Sequence, residues 1–319
     1  MKIGIILLIF VGFMTVLFSV FYMLPTDALP DHIAAILDSV LYDMAYLASF
    51  MLPVAFVPII FDPAERQPMR LSVKLPPSTF ALVCIAVSFT FAFSYINSLV
   101  VTAVFGDPPT VEELFNYPPV YMSDSDIILQ FITVALVPAF CEEFLFRGVV
   151  LSTLMPYGKS TAVVVSAVCF GLMHGNLYQF LYTTVAGLIL GAVYVITDSI
   201  WPSTIIHMLN NALSTFQTVA YERMDENIAD LVWLAIEAVV MMIGIISFIY
   251  FIRRSKKEKT EKAAIFGAPI RDELCGETAG FWVDNRIDAK DAVKAFFTPT
   301  ILAFVIHSLW SAILVFGAA

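Results

Sequence analysis

Long apolar runs without charge constrain the fold of this chain more than any other feature. Four of the longest cover residues 3–24, 78–105, 160–197 and 295–319. Each meets the roughly 20 residues that an α-helix needs to cross the core of a bilayer. The chain is 60% hydrophobic and 14% charged, whereas soluble domains average roughly 45–50% and about 25%. A water-soluble globule is therefore excluded, and the sequence predicts an all-α, polytopic transmembrane helix bundle.

Apolar runs and charged breaks together predict about eight to nine spans. The nine candidates cover residues 3–24, 43–62, 78–105, 126–154, 160–176, 178–197, 203–221, 230–252 and 297–317. The first run is long and has no small-residue cleavage site before Pro25, which favours a retained helix over a signal peptide.

The distribution of Lys and Arg predicts the orientation, because cytoplasmic loops carry the excess of basic residues. With nine spans and a cytoplasmic N-terminus, 15 of the 17 basic residues fall on the inner side, ten of them after residue 252. Only Arg223 falls outside, and Arg147 lies within a span. The sequence therefore predicts a multi-pass integral membrane protein with its N-terminus in the cytoplasm.

Composition also limits the partners. The net charge of −10 argues against nucleic acid as a partner, because phosphates require a clustered basic surface. The four cysteines show no CxxC spacing, which favours neither a disulfide framework nor a structural zinc site. Membrane lipids are the expected surroundings, and the charged start of segment 253–296 is interpreted as a headgroup anchor.

The span 126–154 concentrates charge where the membrane makes it costly. Glu142, Glu143 and Arg147 lie within six residues of one another. Glu143 and Arg147 are four residues apart, so they share a helix face and can form an ion pair. Glu142 points about 100° away from that face and is the candidate general base. Pro138 is expected to kink this helix. From this cluster alone, a purely structural role in holding helices together is supported as well as a catalytic role.

Two histidines and an asparagine extend the cluster onto later helices. His174 follows Phe170 by four residues and precedes a probable helix stop at Gly175. His207 and Asn211 are also four residues apart, so their N–H groups can point in one direction, as an oxyanion requires. Together with the charges of span 126–154, these residues favour a catalytic site over simple packing.

The three motifs, taken in order, resemble a known family. Glu142-Glu143-x-x-x-Arg147, Phe170-x-x-x-His174 and His207-x-x-x-Asn211 are similar to the motifs of the CAAX-protease and bacteriocin-processing (CPBP, or Abi) family of intramembrane endopeptidases, which includes the type II CAAX prenyl proteases. The resemblance implies that Glu142 and His174 activate a water, that His207 and Asn211 stabilise the oxyanion, and that Glu143, Arg147 and Phe170 support them. It covers about a third of the chain.

This interpretation divides the chain into five parts. They are N-terminal transmembrane helices 1–125, a CPBP-like catalytic membrane core 126–220, a transmembrane helix 221–252, a cytoplasmic segment 253–296 and a C-terminal transmembrane helix 297–319. The expected substrate is a membrane-associated protein or peptide, either a prenylated CAAX tail or a peptide precursor.

Two alternatives stay open at the level of sequence. The same histidines and carboxylates could bind zinc with a water, although HExxH is absent and no cofactor is needed for a glutamate mechanism. A non-catalytic bacteriocin-immunity protein, scaffold or transporter is the second alternative, but transporters commonly carry repeats that are not evident here. Glu237, the other charge well inside a span, is interpreted as a packing residue.

Overall fold

The computed structural model describes residues 2–21, 23–24, 29–63, 65–106, 124–266 and 298–317. These residues form nine helices, α1 (Lys2–Phe21), α2 (Asp31–Ile60), α3 (Ser78–Phe105), α4 (124–157), α5 (Lys159–Met173), α6 (Leu177–Thr197), α7 (Ile200–Arg223), α8 (Glu226–Phe266) and α9 (Pro299–Gly317). Within this described part no strand is present, and one isolated bridge pairs Leu71 with Ser199. The predicted all-α polytopic bundle is therefore confirmed.

Six of these helices are long and apolar enough to cross a membrane, namely α1, α2, α3, α4, α6 and α8. The apolar stretches of α5 and α9 are shorter. Helix α7 does not reach the hydropathy of a span, because it directs polar residues such as Ser203, Thr204 and His207 into the protein interior. The order of nine helices thus follows the sequence prediction, whereas the count of candidate spans among the described residues is six rather than eight or nine.

Helix α8 runs on to Phe266 and so enters the segment that was predicted to begin at residue 253. The rest of that segment, with Cys275, and most of the outer loop 106–125 lie outside the described residues. Helix α2 begins at Asp31, well before the predicted start at residue 43, and the other helix boundaries agree with the apolar runs to within a few residues.

Helix α4 is not a regular α-helix. Two π-helical segments, Phe131–Leu136 and Phe144–Leu151, flank the α-helical segment Val137–Glu143. Pro138 has no N–H to donate to the carbonyl of Val134, so regular i→i−4 pairing cannot continue there. The irregularity expected at Pro138 therefore takes the form of a π segment, and such segments occur frequently at functional sites. Both glutamates lie at the end of the α-helical segment, directly before the second π segment.

Helices α5 and α6 pack closely through glycine. A Cβ atom on Gly187 would lie 3.0 Å from the Cα of Ala167, so the two backbones leave no room for a side chain. Gly191, four residues later, would meet Leu151 of α4 at 3.1 Å. The Gly187-x-x-x-Gly191 pattern therefore serves packing within the bundle, as in other membrane helices where small residues let backbones approach.

A short strap, residues 66–72 of the α2–α3 connection, fixes the start of α7. The N–H of Ile200 donates to the carbonyl of Arg70 at 2.8 Å, and the Ser199 hydroxyl donates to that of Ser72 at 2.6 Å. Arg70 also forms an ion pair with Asp198. Ser199 is the N-cap of α7, since its hydroxyl accepts from the N–H of Trp201. The strap thereby sets the position of every side chain on the first turns of α7.

Candidate active site

The ion pair between α4 side chains that spacing predicted is present. Arg147 Nη1 lies 2.8 Å from Glu143 Oε1, and both side chains are buried. Arg147 Nη2 donates to the carbonyl of Gly187 at 3.2 Å, and the guanidinium carbon lies 4.5 Å from the ring centre of Phe170. The buried cation is thus neutralised, hydrogen-bonded and stacked on an aromatic face, which are the conditions under which a buried charge is tolerable.

His207 lies between the two glutamates. Its Nδ1 is 3.1 Å from Glu143 Oε1, and its Nε2 is 3.8 Å from Glu142 Oε2. Both glutamates end the α-helical segment Val137–Glu143, and each faces a different nitrogen of the same imidazole. The local spacing on α4 did not predict this arrangement, because it depends on how α7 packs against α4.

Glu142 has a second partner that the motifs did not indicate. The hydroxyl of Tyr46, on α2, donates to Glu142 Oε1 at 2.5 Å. The other oxygen, Oε2, is buried and accepts no hydrogen bond from the described residues. A tyrosine in an apolar run is typical of a packing residue, and sequence reasoning had no signal to distinguish Tyr46 from Tyr42, one turn earlier.

His174 follows the last turn of α5. Its Nδ1 lies 2.9 Å from the carbonyl oxygen of Phe170. Because a carbonyl oxygen only accepts, this hydrogen bond requires the proton on Nδ1, and a neutral ring then carries its lone pair on Nε2. No hydrogen bond between described residues joins His174 directly to Glu142, but both side chains line the same cavity.

The ring of Phe170 lies between the two histidines. Its centre is 5.2 Å from that of His174 and 5.7 Å from that of His207, with both contacts edge to face. His174 follows the end of α5, whereas His207 lies in the second turn of α7. The structure nevertheless brings them to one level of the bundle, on either side of a single aromatic ring.

Asn211 forms a hydrogen bond to the backbone of α4. Its Nδ2 donates to the carbonyl of Val134 at 3.1 Å, which is the carbonyl that Pro138 leaves without its regular donor. A carboxamide has two N–H donors, so one remains for another acceptor. The neighbouring Asn210 accepts a hydrogen bond from Thr90 at 2.9 Å.

A cavity of about 1020 Å³ opens beside these residues. Glu142, His174 and Asn211 lie in its wall, and His207 is buried behind them. Asp38 and Glu237 also line it, and no Lys or Arg is among the lining residues that the structure describes. Glu237 therefore faces a cavity in addition to packing. The volume is at the upper end of typical small-molecule pockets.

The described residues hold no group of three His, Cys, Asp or Glu arranged to bind a metal ion. Cys84, Cys141 and Cys169 are free thiols.

The fold and the site together define an integral membrane protein in which a buried Glu–His–Arg cluster adjoins a large cavity within the bundle. Residues 124–213 match the family described as Type II CAAX prenyl endopeptidase Rce1-like. This match extends from the start of α4 into α7 and includes all seven residues of the three motifs, so the resemblance is confirmed for this part of the chain. No curated protein and no solved structure gives a match to the chain.

Proposed function

We propose that this protein is an intramembrane endopeptidase of the CAAX prenyl protease type, which hydrolyses a membrane-associated peptide or protein by a water that Glu142 and His174 activate. The observation that carries the proposal is that Glu142 and His174 line one cavity, and that one buried oxygen of Glu142, Oε2, has no hydrogen-bond partner among the described residues. Oε2 and His174 Nε2 are two acceptors for the protons of one water, which is what a general base requires.

The proposed reaction assigns each proton. The water donates to Glu142 Oε2 and His174 Nε2 while its oxygen attacks the carbonyl carbon of the scissile bond. A proton moves to Glu142, and the carbonyl becomes a tetrahedral oxyanion. The C–N bond then breaks as this proton passes to the leaving amine, which regenerates the carboxylate.

His207 and Asn211 are the proposed donors to the oxyanion. Asn211 has a second N–H beyond the one that Val134 accepts. A doubly protonated His207 would donate through Nδ1 to Glu143 and through Nε2 to the oxyanion, and would leave the cluster with Arg147 and both glutamates neutral overall. Such preorganised donors act strongly in a site that excludes bulk water.

Glu143, Arg147 and Phe170 are proposed to position these groups. Glu143 forms an ion pair with Arg147 and faces His207, so it fixes the imidazole as a carboxylate fixes a metal-binding or catalytic histidine elsewhere. Phe170 contacts Arg147 and both histidines. Loss of any of the three would move His207 or His174 rather than remove a reacting group.

The substrate class follows from the family match. The description of the matched family favours a protein or peptide with a prenylated CAAX tail, and a peptide precursor is the other candidate. A zinc-dependent use of the same residues is the mechanistic alternative. Activity that survives a strong chelator, with no stoichiometric metal in the purified protein, would support the glutamate mechanism.

The test is a comparison of protein termini in membranes from native cells with the wild-type protein or with Glu142→Gln at equal abundance. We expect a precursor to accumulate with Glu142→Gln and its cleaved form to be absent. Glu222→Gln is the matched control, since it makes the same change at an exposed residue outside the cavity, and it should process normally.

Prenylation of the accumulated precursor would establish the CAAX type of substrate. Unchanged termini together with a retained cellular phenotype in both Glu142→Gln and a Glu142→Ala/His174→Ala variant would contradict the peptidase and favour a binding or immunity role.

A further inference from the structure

We infer that Tyr46 is a positioning residue of this site, which holds one oxygen of Glu142 so that the other faces the attacking water. The inference rests on the proposed endopeptidase function. Tyr46 lies on α2, outside the matched residues 124–213, so neither the three motifs nor the family match assigns it a role.

The contact itself has the geometry of a strong hydrogen bond. The phenolic O–H of Tyr46 is 2.5 Å from Glu142 Oε1, a distance typical of a hydroxyl that donates to a carboxylate. Glu142 is buried, so water does not compete freely for this oxygen. The bond fixes the rotation of the carboxylate about its terminal torsion, which is otherwise broad for glutamate.

Fixing Oε1 determines where Oε2 points. Oε2 has no hydrogen-bond partner among the described residues, and the ring nitrogen Nε2 of His207 lies 3.8 Å from it. A buried oxygen without a donor, on a side chain that lines the cavity, can accept from a water that enters beside it. If the carboxylate were free to rotate, Oε2 could instead turn toward the space at Tyr46.

The ring of Tyr46 is held independently of its hydroxyl. It stacks on Tyr42 at 6.0 Å and on Phe50 at 4.7 Å, and Phe50 in turn packs on Phe10 of α1 at 4.7 Å. A phenylalanine at position 46 would keep these contacts. Tyr46→Phe therefore removes the hydrogen bond to Glu142 and leaves the packing of α1 against α2 intact.

The test compares Tyr46→Phe with Tyr157→Phe in proteoliposomes. The probe is an internally quenched peptide with a farnesylated cysteine as its fourth residue from the C-terminus. Tyr157 is the matched control because it takes the same change at an exposed position that is not among the residues lining the cavity. We expect kcat to fall by about 10–100-fold in Tyr46→Phe with KM nearly unchanged, and both constants to stay near wild type in Tyr157→Phe.

A spectroscopic readout separates positioning from simple stability. The infrared carboxylate band of Glu142, assigned by its loss in Glu142→Gln, should shift in Tyr46→Phe and stay in place in Tyr157→Phe. Thermal unfolding of Tyr46→Phe should stay cooperative, with a midpoint lowered only by the loss of one buried hydrogen bond. An unmoved band, a wild-type kcat, or a change in KM without a change in kcat would each overturn the inference.

The proposed function can fail separately. If Glu142→Gln cleaves the probe as fast as wild type, or if wild type does not cleave it, the proposed function is contradicted for this substrate. The infrared comparison needs no substrate, so it decides in either case whether Tyr46 holds the Glu142 carboxylate.

Discussion

At the scale of single residues, the buried charges of α4 and α7 form one connected chain of contacts. Arg147 pairs with Glu143, Glu143 faces His207, and His207 approaches Glu142. In a low-dielectric interior a charge that loses its partner costs far more than the pair contributes. Substitutions in this cluster should therefore be strongly non-additive.

Arg147→Met should be much more damaging alone than in combination with Glu143→Gln. The single variant leaves Glu143 as a buried carboxylate without its cation, at a cost of about 3–5 kcal/mol in the free energy of unfolding. The double variant removes both charges and should regain more than half of that loss. Unfolding of each variant by SDS titration in mixed micelles measures the difference.

Glu143→Gln is the control for this comparison, since it removes the carboxylate and leaves the arginine. It should also be destabilised more than the double variant. If the losses of the two single variants simply added in the double variant, the ion pair would not be the reason that either residue is tolerated.

Asn211→Ala should lower both stability and turnover. The carbonyl of Val134 loses its side-chain donor, which costs about 1 kcal/mol of unfolding free energy. If Asn211 is also an oxyanion donor, kcat should fall by about 10²–10³, less than in Glu142→Gln. Thermal unfolding and kinetics on the same preparation measure the two effects separately.

Asn227→Ala is the control, because it makes the same change at an exposed position near the start of α8. Its stability and its kcat should both stay near wild type. A stability loss in Asn211→Ala without any change in kcat would show that Asn211 only satisfies the carbonyl next to Pro138.

At the scale of elements, α4 and α7 are held in register by contacts outside the motifs. The strap at residues 66–72 fixes the start of α7, and the π segment 131–136 with Pro138 shapes α4 just before the glutamates. Asn211 joins the two helices through Val134. The relative position of Glu142 and His207 therefore depends on backbone irregularities and on a connection that carries no catalytic residue.

Gly187→Val should loosen the α5–α6 pair. The added side chain would meet the backbone of Ala167, and overpacking of this kind costs about 1–3 kcal/mol. The backbone of Gly187 also accepts from Arg147, so turnover should fall with stability. Unfolding by SDS titration, together with the cleavage assay, tests this.

Gly12→Val is the matched control, because a Cβ at Gly12 of α1 would meet no atom within 4 Å. Its unfolding free energy should stay within about 0.5 kcal/mol of wild type. Equal losses in both variants would mean that helix propensity in the membrane, rather than the approach of α5 to α6, determines the effect.

At the scale of the whole molecule, several connections lie at one end of the bundle. Lys2, at the start of α1, forms ion pairs with Asp62 and Glu65 beyond the end of α2. The strap continues from there to Ser199 before α7. Since α7 runs from this end to the other, the α7–α8 turn lies at the opposite end. The distribution of basic residues predicts that the first end is cytoplasmic.

This orientation can be tested with single cysteines in a variant whose four native cysteines are replaced by alanine. Val73 and Met224 are 77% and 41% exposed and lie at opposite ends. An impermeant thiol reagent should label Met224→Cys in intact cells and Val73→Cys only after permeabilisation. The reverse pattern would place the N-terminus outside and contradict the charge argument.

The order of helices and the ion pair on α4 could be predicted from sequence because both depend on local spacing. Apolar run length sets the helices, and an i,i+4 interval brings Glu143 to Arg147. Tyr46 could not be found in this way, since its contact to Glu142 joins residues 96 positions apart. The angle between Glu142 and Glu143 also could not predict that both carboxylates face His207, because that contact joins α4 to α7.

The sequence by itself determined that the chain is a helical membrane protein. It also identified the few polar residues whose position inside a membrane requires a structural or functional reason. Tertiary structure alone decided the level at which these residues meet, with Phe170 between the two histidines and Tyr46 against Glu142. The physical reason is that the cost of burying charge in a membrane is reflected in the composition of the chain and in the local spacing of its charged residues. The depth, tilt and register of one helix against another depend instead on contacts between distant segments, and no interval along the chain encodes these.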